Sequence, residues 1–151
     1  MKLKRWIAAM MMIASLGGLT ACGDGNVSYQ DGTYEGKSSV YTSEDGSDDG
    51  NGYGAVSITI KDGAITACTY QTYEPDGTLK DESYGMEGGK IANRDYYNKA
   101  QKAVAACEEY ASQLIQSGSA KDVDAITGAT INHDLFLEAV DDALSGAKAA
   151  G

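Results

Sequence analysis

Apolar and polar residues alternate through Tyr53–Ile60, which is the pattern of a strand with one buried face. The residues Lys61-Asp62-Gly63 then predict a tight hairpin, because Asp and Gly tolerate the positive φ angles of such turns. A partner strand is predicted over Ala64–Tyr73 and an earlier strand over Thr33–Tyr41, with an acidic, glycine-rich loop at 42–52. These patterns predict a small antiparallel sheet.

In the second half of the chain the apolar period lengthens to that of a helix. A stripe at three- and four-residue steps runs through Arg94–Ser117, with Asn93 as the predicted N-cap and Gly118 as the stop. A last helix is predicted over His133–Ala147, with Asn132 as its N-cap. Its predicted inward-facing residues are Ile131, Phe136, Val140, Ala143 and Leu144. Strands followed by helices predict an α+β fold, in which the long helix and the C-terminal helix pack on one face of the sheet.

The N-terminus has the three parts of an export signal. Lys2, Lys4 and Arg5 form a basic region, and the apolar stretch Trp6–Gly18 is shorter than a comfortable transmembrane span. Leu19-Thr20-Ala21-Cys22 follows, and small residues before a cysteine resemble the lipobox of bacterial lipoproteins. In such proteins the signal is removed before the cysteine, and the thiol carries a diacylglycerol. The alternative is an ordinary signal peptide with a chance cysteine.

This resemblance implies a signal peptide over residues 1–21, a lipidated Cys22, a tether over 22–32 and one domain over 33–151, held at the extracytoplasmic face of the cell membrane. The whole chain has 12 basic and 22 acidic residues and a formal net charge of −10, and loss of the three basic signal residues would lower that charge to −13. Such a surface repels nucleic acid and anionic headgroups. The charge therefore argues against a nucleic-acid partner and leaves membrane contact to the acyl chains.

Two cysteines remain in the predicted domain. Export makes a disulfide between Cys68 and Cys107 possible, and the alternative is that both are small buried apolar side chains. Acidic residues in the 42–52 loop imitate the start of a calcium loop, but Val56 stands where that loop needs a bidentate carboxylate. No metal site is therefore predicted.

The stretch Asp124-Ala125-Ile126-Thr127-Gly128-Ala129-Thr130 carries the candidate chemistry. Thr127 and Thr130 are hydroxyl residues in a tight turn immediately before the last predicted helix. Gly128 and Ala129 are small enough to let a bulky group approach the backbone. Because the first N–H groups of a helix lack internal acceptors, they form a natural phosphate site.

This stretch resembles the motif Asp-x-x-(Ser/Thr)-Gly-Ala-(Thr/Ser) of the FMN-binding domain family at every specified position. The family includes the C subunit of sodium-translocating NADH:quinone reductase, the G subunit of the Rnf complex and lipoproteins of extracellular electron transfer. In the family, a flavin transferase moves FMN from FAD onto the last hydroxyl and forms a phosphoester. The resemblance covers roughly residues 31–146. It implies covalent FMN on Thr130, with Asp124, Thr127, Gly128 and Ala129 in the recognised turn.

Several roles stay open at this point. Three roles are open for Asp124: it would orient the acceptor, bind a metal of the transferase or cap the turn. The alternative for Thr130 is that it only caps the helix. His133, the sole histidine, is predicted to lie in solvent rather than to donate to the phosphate. The ten tyrosines are predicted mainly as packing residues. Tyr96 and Tyr97 are the candidates for contact with the flavin ring.

The resemblance implies an electron carrier rather than a stand-alone enzyme, and no catalytic residue is predicted. A membrane redox partner, either a reductase or a quinone-linked protein, would reduce the flavin, and an external acceptor or another flavoprotein would oxidise it. Covalent attachment suits an exported protein, because dissociated FMN would be lost by dilution. Two alternatives remain: the flavin subunit of an exported reductase, and a non-redox surface lipoprotein with a vestigial motif.

Overall fold

A computed structural model describes residues 28–45 and 51–149, which form an α+β fold. One antiparallel sheet has the strand order β1, β2, β3, and these strands span Gly32–Lys37, Tyr53–Lys61 and Ala64–Tyr73. Helix α1 spans Arg94–Ser117 and helix α2 spans Thr130–Ala147, with a 3-10 turn at Ala120–Asp122 between them. The predicted fold class is confirmed.

The predicted signal peptide, the lipidation site Cys22 and residues 46–50 of the acidic loop lie outside the described residues. No helix in the described part of the chain is long and apolar enough to cross a membrane. Ordered pairing reaches into the predicted tether, because the Gln30 N–H donates to the Ala147 carbonyl and the Ala149 N–H donates to the Ser28 carbonyl, both at 2.9 Å. The chain therefore joins the domain beside the C-terminal end of α2.

The register of the sheet places its apolar residues on one face, as the alternation predicted. Val56 lies opposite Tyr70 and Ile58 lies opposite Cys68 across the β2–β3 ladder, and all four are buried. The hairpin turns at Asp62, whose φ of 53° lies in the left-handed region that Asp-Gly turns require. One buried face and one open face follow from this arrangement.

The first strand is shorter than predicted, because β1 ends at Lys37 and not at Tyr41. The Ser38 N–H still donates to the Gly54 carbonyl at 2.9 Å. The Gly54 N–H, however, donates to the Ser38 hydroxyl at 2.9 Å instead of to a strand carbonyl. This local side-chain bond ends the ladder, and Val40 beyond it is 47% exposed.

Both helices cover the apolar face of the sheet, α1 over β3 and α2 over β1 and β2. Helix α2 approaches β1 so closely that a Cβ on Gly36 would lie 2.0 Å from the Ala139 carbonyl oxygen. The Phe136 ring packs between Tyr70 and Tyr110, with centroid distances of 4.8 and 5.7 Å. Small residues at the helix–sheet contact and aromatic rings from β3, α1 and α2 therefore make one core.

Helix α1 begins and ends where its capping residues predict. The Asn93 side chain accepts a backbone N–H of the first turn at 3.0 Å. At the other end Gly118 adopts a left-handed φ of 71° and donates its N–H to the Leu114 carbonyl at 2.8 Å. The buried face is wider than the predicted stripe, because it includes Tyr110, which is 0% exposed.

Helix α2 begins at Thr130, so the prediction that Asn132 is its N-cap is wrong. The cap residue is Ala129, which forms no side-chain capping bond. Asn132 lies inside the first turn, where it is 6% exposed, and its side chain donates to the Ala103 carbonyl of α1 at 2.8 Å. The Asn132 side chain, predicted from the local pattern to cap α2, instead bonds to α1.

Three of the five residues predicted to face inward from α2 are buried, and two lie at the edges of its buried face. The buried members of the helix are Asn132, Leu135, Phe136, Ala139, Val140, Ala143 and Ala147. Ile131 and Leu144 are only half-buried. Because the successive residues are about 100° apart, these two positions flank the face that meets the sheet.

We expect Gly36→Ala to lower the free energy of unfolding by about 1–3 kcal/mol, because the added methyl would overlap the α2 backbone. The matched control is Gly146→Ala, where the nearest atom to a new Cβ is the Tyr34 Cδ1 at 3.9 Å. That substitution should be neutral or stabilise α2 by up to about 1 kcal/mol. Urea denaturation measures both, and equal stabilities of the two variants would contradict the close approach of α2 to β1.

Candidate functional site

The seven motif residues lie in one surface turn between the 3-10 turn and α2. Five of them are exposed, one is half-buried and one is buried. The exposed residues include Asp124, Thr127, Gly128 and Thr130, and Ala129 is the buried residue. The Ala129 N–H donates to the Ile126 carbonyl at 2.9 Å, which closes the turn. All the residues predicted to bind the cofactor are therefore together at the start of α2.

The first turn of α2 presents backbone N–H groups that have no acceptor within the helix. The first helical bond runs from the His133 N–H to the Ala129 carbonyl at 3.1 Å. The N–H groups of Thr130, Ile131 and Asn132 precede it, and within the described chain neither a capping side chain nor an acidic residue occupies this first turn. The helix dipole and these N–H groups favour an anion beside the Thr130 hydroxyl.

A buried phenol holds the turn in place. The Tyr110 hydroxyl donates to the Ala129 carbonyl at 3.0 Å and accepts the Ile126 N–H at 2.9 Å. Burial raises the pKa of Tyr110, so the hydroxyl keeps its proton and remains a donor at neutral pH. One side chain from α1 thereby fixes both ends of the tightest part of the motif.

A second side chain of α1 holds the beginning of the motif. The Gln113 Oε1 accepts the Asp124 N–H at 2.8 Å, and the Gln113 Nε2 donates to the Asp124 carbonyl at 3.5 Å. The Asp124 carboxylate forms no hydrogen bond or ion pair with any other residue in 28–45 and 51–149. It therefore does not cap the turn, and the residue is exposed.

His133 does not lie in solvent, and that prediction is wrong. Its side chain is 15% exposed, and Nε2 lies 2.8 Å from the Val123 carbonyl oxygen. The ring also packs against Tyr110, at a centroid distance of 5.5 Å, and Nδ1 lies 3.7 Å from a carboxylate oxygen of Asp134. Because α2 starts at Thr130, His133 falls on the face of the helix that meets the segment before the motif. Both ring nitrogens therefore lie near oxygens other than the motif hydroxyls.

The side chain of Lys102, from α1, lies beside Gly128 of the motif. Gly128 has a left-handed φ of 85°. A Cβ at Gly128 would lie 3.6–3.8 Å from the Cδ, Nζ and Cε atoms of Lys102. The absent side chain thus leaves a narrow space between the turn and the lysine. Sequence reasoning missed Lys102, because no local signal connects a surface lysine in one helix with a turn before the next.

The two tyrosines proposed for contact with a ring lie on different sides of α1. Tyr97 is half-buried, and its hydroxyl donates to the Glu82 carbonyl at 3.0 Å. Tyr96 is 55% exposed. Tyr96, Ala103 and Tyr110 recur every seven residues and therefore lie in one row along α1, and the last two contact the motif turn and the start of α2. The arrangement favours Tyr96 over Tyr97 as a neighbour of a group bound at the motif.

A groove of 790 Å³ lies between β3 and α1, on the side of α1 away from the motif turn. Gln101, Val104 and Glu108 line it along the helix, and Cys68 and Cys107 lie in its floor. Both cysteines are free and buried, so the interpretation as small buried side chains is confirmed. Burial raises the pKa of Cys68 to about 11, and burial also raises the pKa of Cys107. Both thiols are therefore protonated at neutral pH.

Comparisons with known proteins identify the same region. A model of the FMN-binding domain family matches residues 50–145, which include β2, β3, α1, the motif turn and most of α2. The crystal structure of the CPE2226 protein from Clostridium perfringens is similar, with a TM-score of 0.56 and 24% sequence identity over 79% of this chain and 88% of that one. At this identity the likeness shows a shared fold. A search of curated protein sequences found no match.

We expect Tyr110→Phe to loosen the motif turn and to lower the free energy of unfolding by about 1–3 kcal/mol, because the Ile126 N–H loses its buried partner. Hydrogen exchange of the Ile126 amide should accelerate more than that of amides in β2. The matched control is Tyr34→Phe, which removes a hydroxyl bonded to the Gln30 carbonyl away from the motif. Unchanged exchange at Ile126 in Tyr110→Phe would show that the phenol does not hold the turn.

Proposed function

This chain belongs to the FMN-binding domain family, and on that basis we propose that it is an exported flavoprotein that carries FMN on Thr130 and relays electrons while anchored to the membrane through Cys22. Family membership supports FMN as the cofactor. One observation carries the attachment site. Thr130 is the exposed last residue of a complete motif, and it begins a helix whose first N–H groups have no internal acceptor.

The residues around Thr130 fit a nucleotide joined through its phosphate. Thr130 is exposed at the surface, so a modifying enzyme can approach it. The N-terminal amides of α2 are suited to phosphoryl oxygens, and the missing side chain of Gly128 leaves space beside Lys102. Tyr110 and Gln113 hold the turn that leads to the acceptor Thr130.

The proposed attachment is a transfer from FAD by a flavin transferase. The Thr130 oxygen bonds to the phosphorus of the FMN half, the pyrophosphate bond breaks, and AMP leaves with the bonding electron pair. The hydroxyl proton passes to a base of the transferase. The protein gains one FMN less one water. Once attached, FMN would supply one- and two-electron chemistry, and the protein would hold and orient it.

An electron carrier needs a flavin that partners can approach. The motif turn is on the surface, and Tyr96, the proposed neighbour of the ring, is more than half exposed. The residues that line the 790 Å³ groove do not include any residue of the motif. An attachment site on the surface, where partners can reach it, supports a relay in preference to a self-contained enzyme.

The place of the proposed anchor suits such a relay. The segment that leads from Cys22 joins the domain where Ser28 and Gln30 pair with Ala149 and Ala147. Thr130 is at the other end of α2, and a helix of 18 residues is about 27 Å long. The proposed flavin would thus be distant from the point where the lipid tether enters the domain. That separation favours contact with partners outside the membrane.

We expect the domain, when co-expressed with a flavin transferase, to gain the mass of one FMN less one water. Thr130→Ala should lose this gain completely, because no hydroxyl remains to form the phosphoester. Thr130→Ser is the matched control and should keep the attachment, since it preserves the hydroxyl. Intact mass and in-gel flavin fluorescence after denaturation measure both.

Covalent flavin on Thr130→Ala, or an unmodified parent domain, would refute the assignment of Thr130. The flavinylated protein also tests the relay. Once reduced with dithionite, it should pass electrons to ferricyanide without steady turnover of NADH. Steady oxidation of NADH by the purified protein alone would indicate a reductase instead.

We expect Cys22→Ser to release the protein from the membrane fraction and to remove the diacylglycerol mass, because no thiol is left to carry the lipid. Cys68→Ser is the matched control, since that buried thiol is far from the anchor in sequence. It should leave membrane association unchanged. Membrane fractionation with intact-mass analysis measures both variants. A Cys22→Ser protein that stays with the membrane would contradict lipid anchoring at this residue.

A further inference from the structure

We propose that Lys102 is a positioning residue that holds the phosphate of the attached flavin nucleotide, an inference that rests on the proposed attachment at Thr130. Lys102 is exposed on α1. Its Nζ lies 3.7 Å from the position of a Cβ on Gly128, and Gly128 precedes Thr130 by two residues in the same turn. The ammonium group therefore lies beside the backbone that carries the acceptor hydroxyl.

The neighbour of Lys102 in the chain ties this part of α1 to the start of α2. The Ala103 carbonyl accepts the Asn132 side-chain amide at 2.8 Å, and Asn132 is in the first turn of α2. This bond places the part of α1 that carries Lys102 beside the N-terminus of α2. Helix α1 supplies a full positive charge and α2 supplies unpaired N–H groups, which together match a phosphodiester.

The charge balance of the molecule makes a cation useful at this place. The chain has a net charge of −10, and Asp124 in the same turn is exposed without an ion pair in the described part of the chain. Attachment adds a further negative charge, the phosphodiester, close to Asp124. Lys102 forms no ion pair with any residue in 28–45 or 51–149, so its charge is not already neutralised there. It would offset the repulsion that attachment creates.

The test uses the full domain with purified flavin transferase and FAD at low ionic strength. Lys102→Glu should lower kcat/KM for flavin transfer roughly tenfold, because one charged partner of the phosphate is replaced by a like charge. The difference should shrink at high salt, since this site is exposed. Lys102→Arg should stay within about twofold of the parent, because it keeps the charge. Lys61→Glu is the control for net charge, since Lys61 is in the hairpin at the far end of the sheet.

Two readouts on fully loaded protein separate a contact with the phosphate from an effect on the transferase. In Lys102→Glu the phosphorus NMR shift of the phosphodiester should change and the flavin fluorescence anisotropy should decay faster. Lys61→Glu should change neither. Parent-like transfer, phosphorus shift and anisotropy in Lys102→Glu would overturn the role of Lys102, and flavin still on Thr130 would leave the proposed function standing. A parent domain that takes up no flavin would sink both.

Discussion

The hydroxyl of Tyr110 is the interaction on which the functional turn depends. It donates to the Ala129 carbonyl and accepts the Ile126 N–H, so these two backbone groups bond to the phenol instead of to water. The phenol has no exposed surface, and its ring stacks on Phe136 in the core. The surface turn is therefore fastened to the centre of the domain. Loss of a partner for a buried N–H costs more than the bond itself contributes, which keeps the turn in one conformation.

The packing of α2 on the sheet places that turn. Gly36 lets the α2 backbone come within contact of β1, and small residues such as Ala139 and Ala143 line the approach. The amide of Asn132 then joins the first turn of α2 to the Ala103 carbonyl. Packing on the sheet determines how closely α2 approaches β1, and the bond to α1 fixes the position of the first turn of α2. The free N–H groups at its start are thereby held at Thr130, two residues after the glycine that faces Lys102.

This arrangement suits a cofactor that is attached rather than enclosed. Among the described residues, most of the motif is exposed at the surface. The site consists of the exposed residue Thr130, the N-terminus of α2, and Gly128 with the Lys102 side chain beside it. In the proposed function, the covalent bond takes over the retention of FMN, and the protein has only to orient the phosphate and leave the ring open to partners.

Much of the fold could be predicted from the sequence, because its signals are local. Alternation placed β2 and β3, and Asn93 and Gly118 marked the ends of α1, since strand alternation and helix caps act over a few neighbouring residues. The motif could be recognised for the same reason, as seven consecutive residues. Membership of the family was likewise readable from the motif, and the family match bears it out.

What the sequence could not decide were the contacts between distant elements. Helix α2 starts at Thr130, earlier than its local pattern predicts, and the Asn132 amide bonds to α1 instead of capping the helix. Because of that start, His133 lies against the Val123 carbonyl and not in solvent. Tyr110, Gln113 and Lys102 reach the motif from a helix that precedes it, across the core and not along the chain. Local patterns determine which residues form a helix or strand, whereas tertiary packing alone determines which side chains of different elements come into contact.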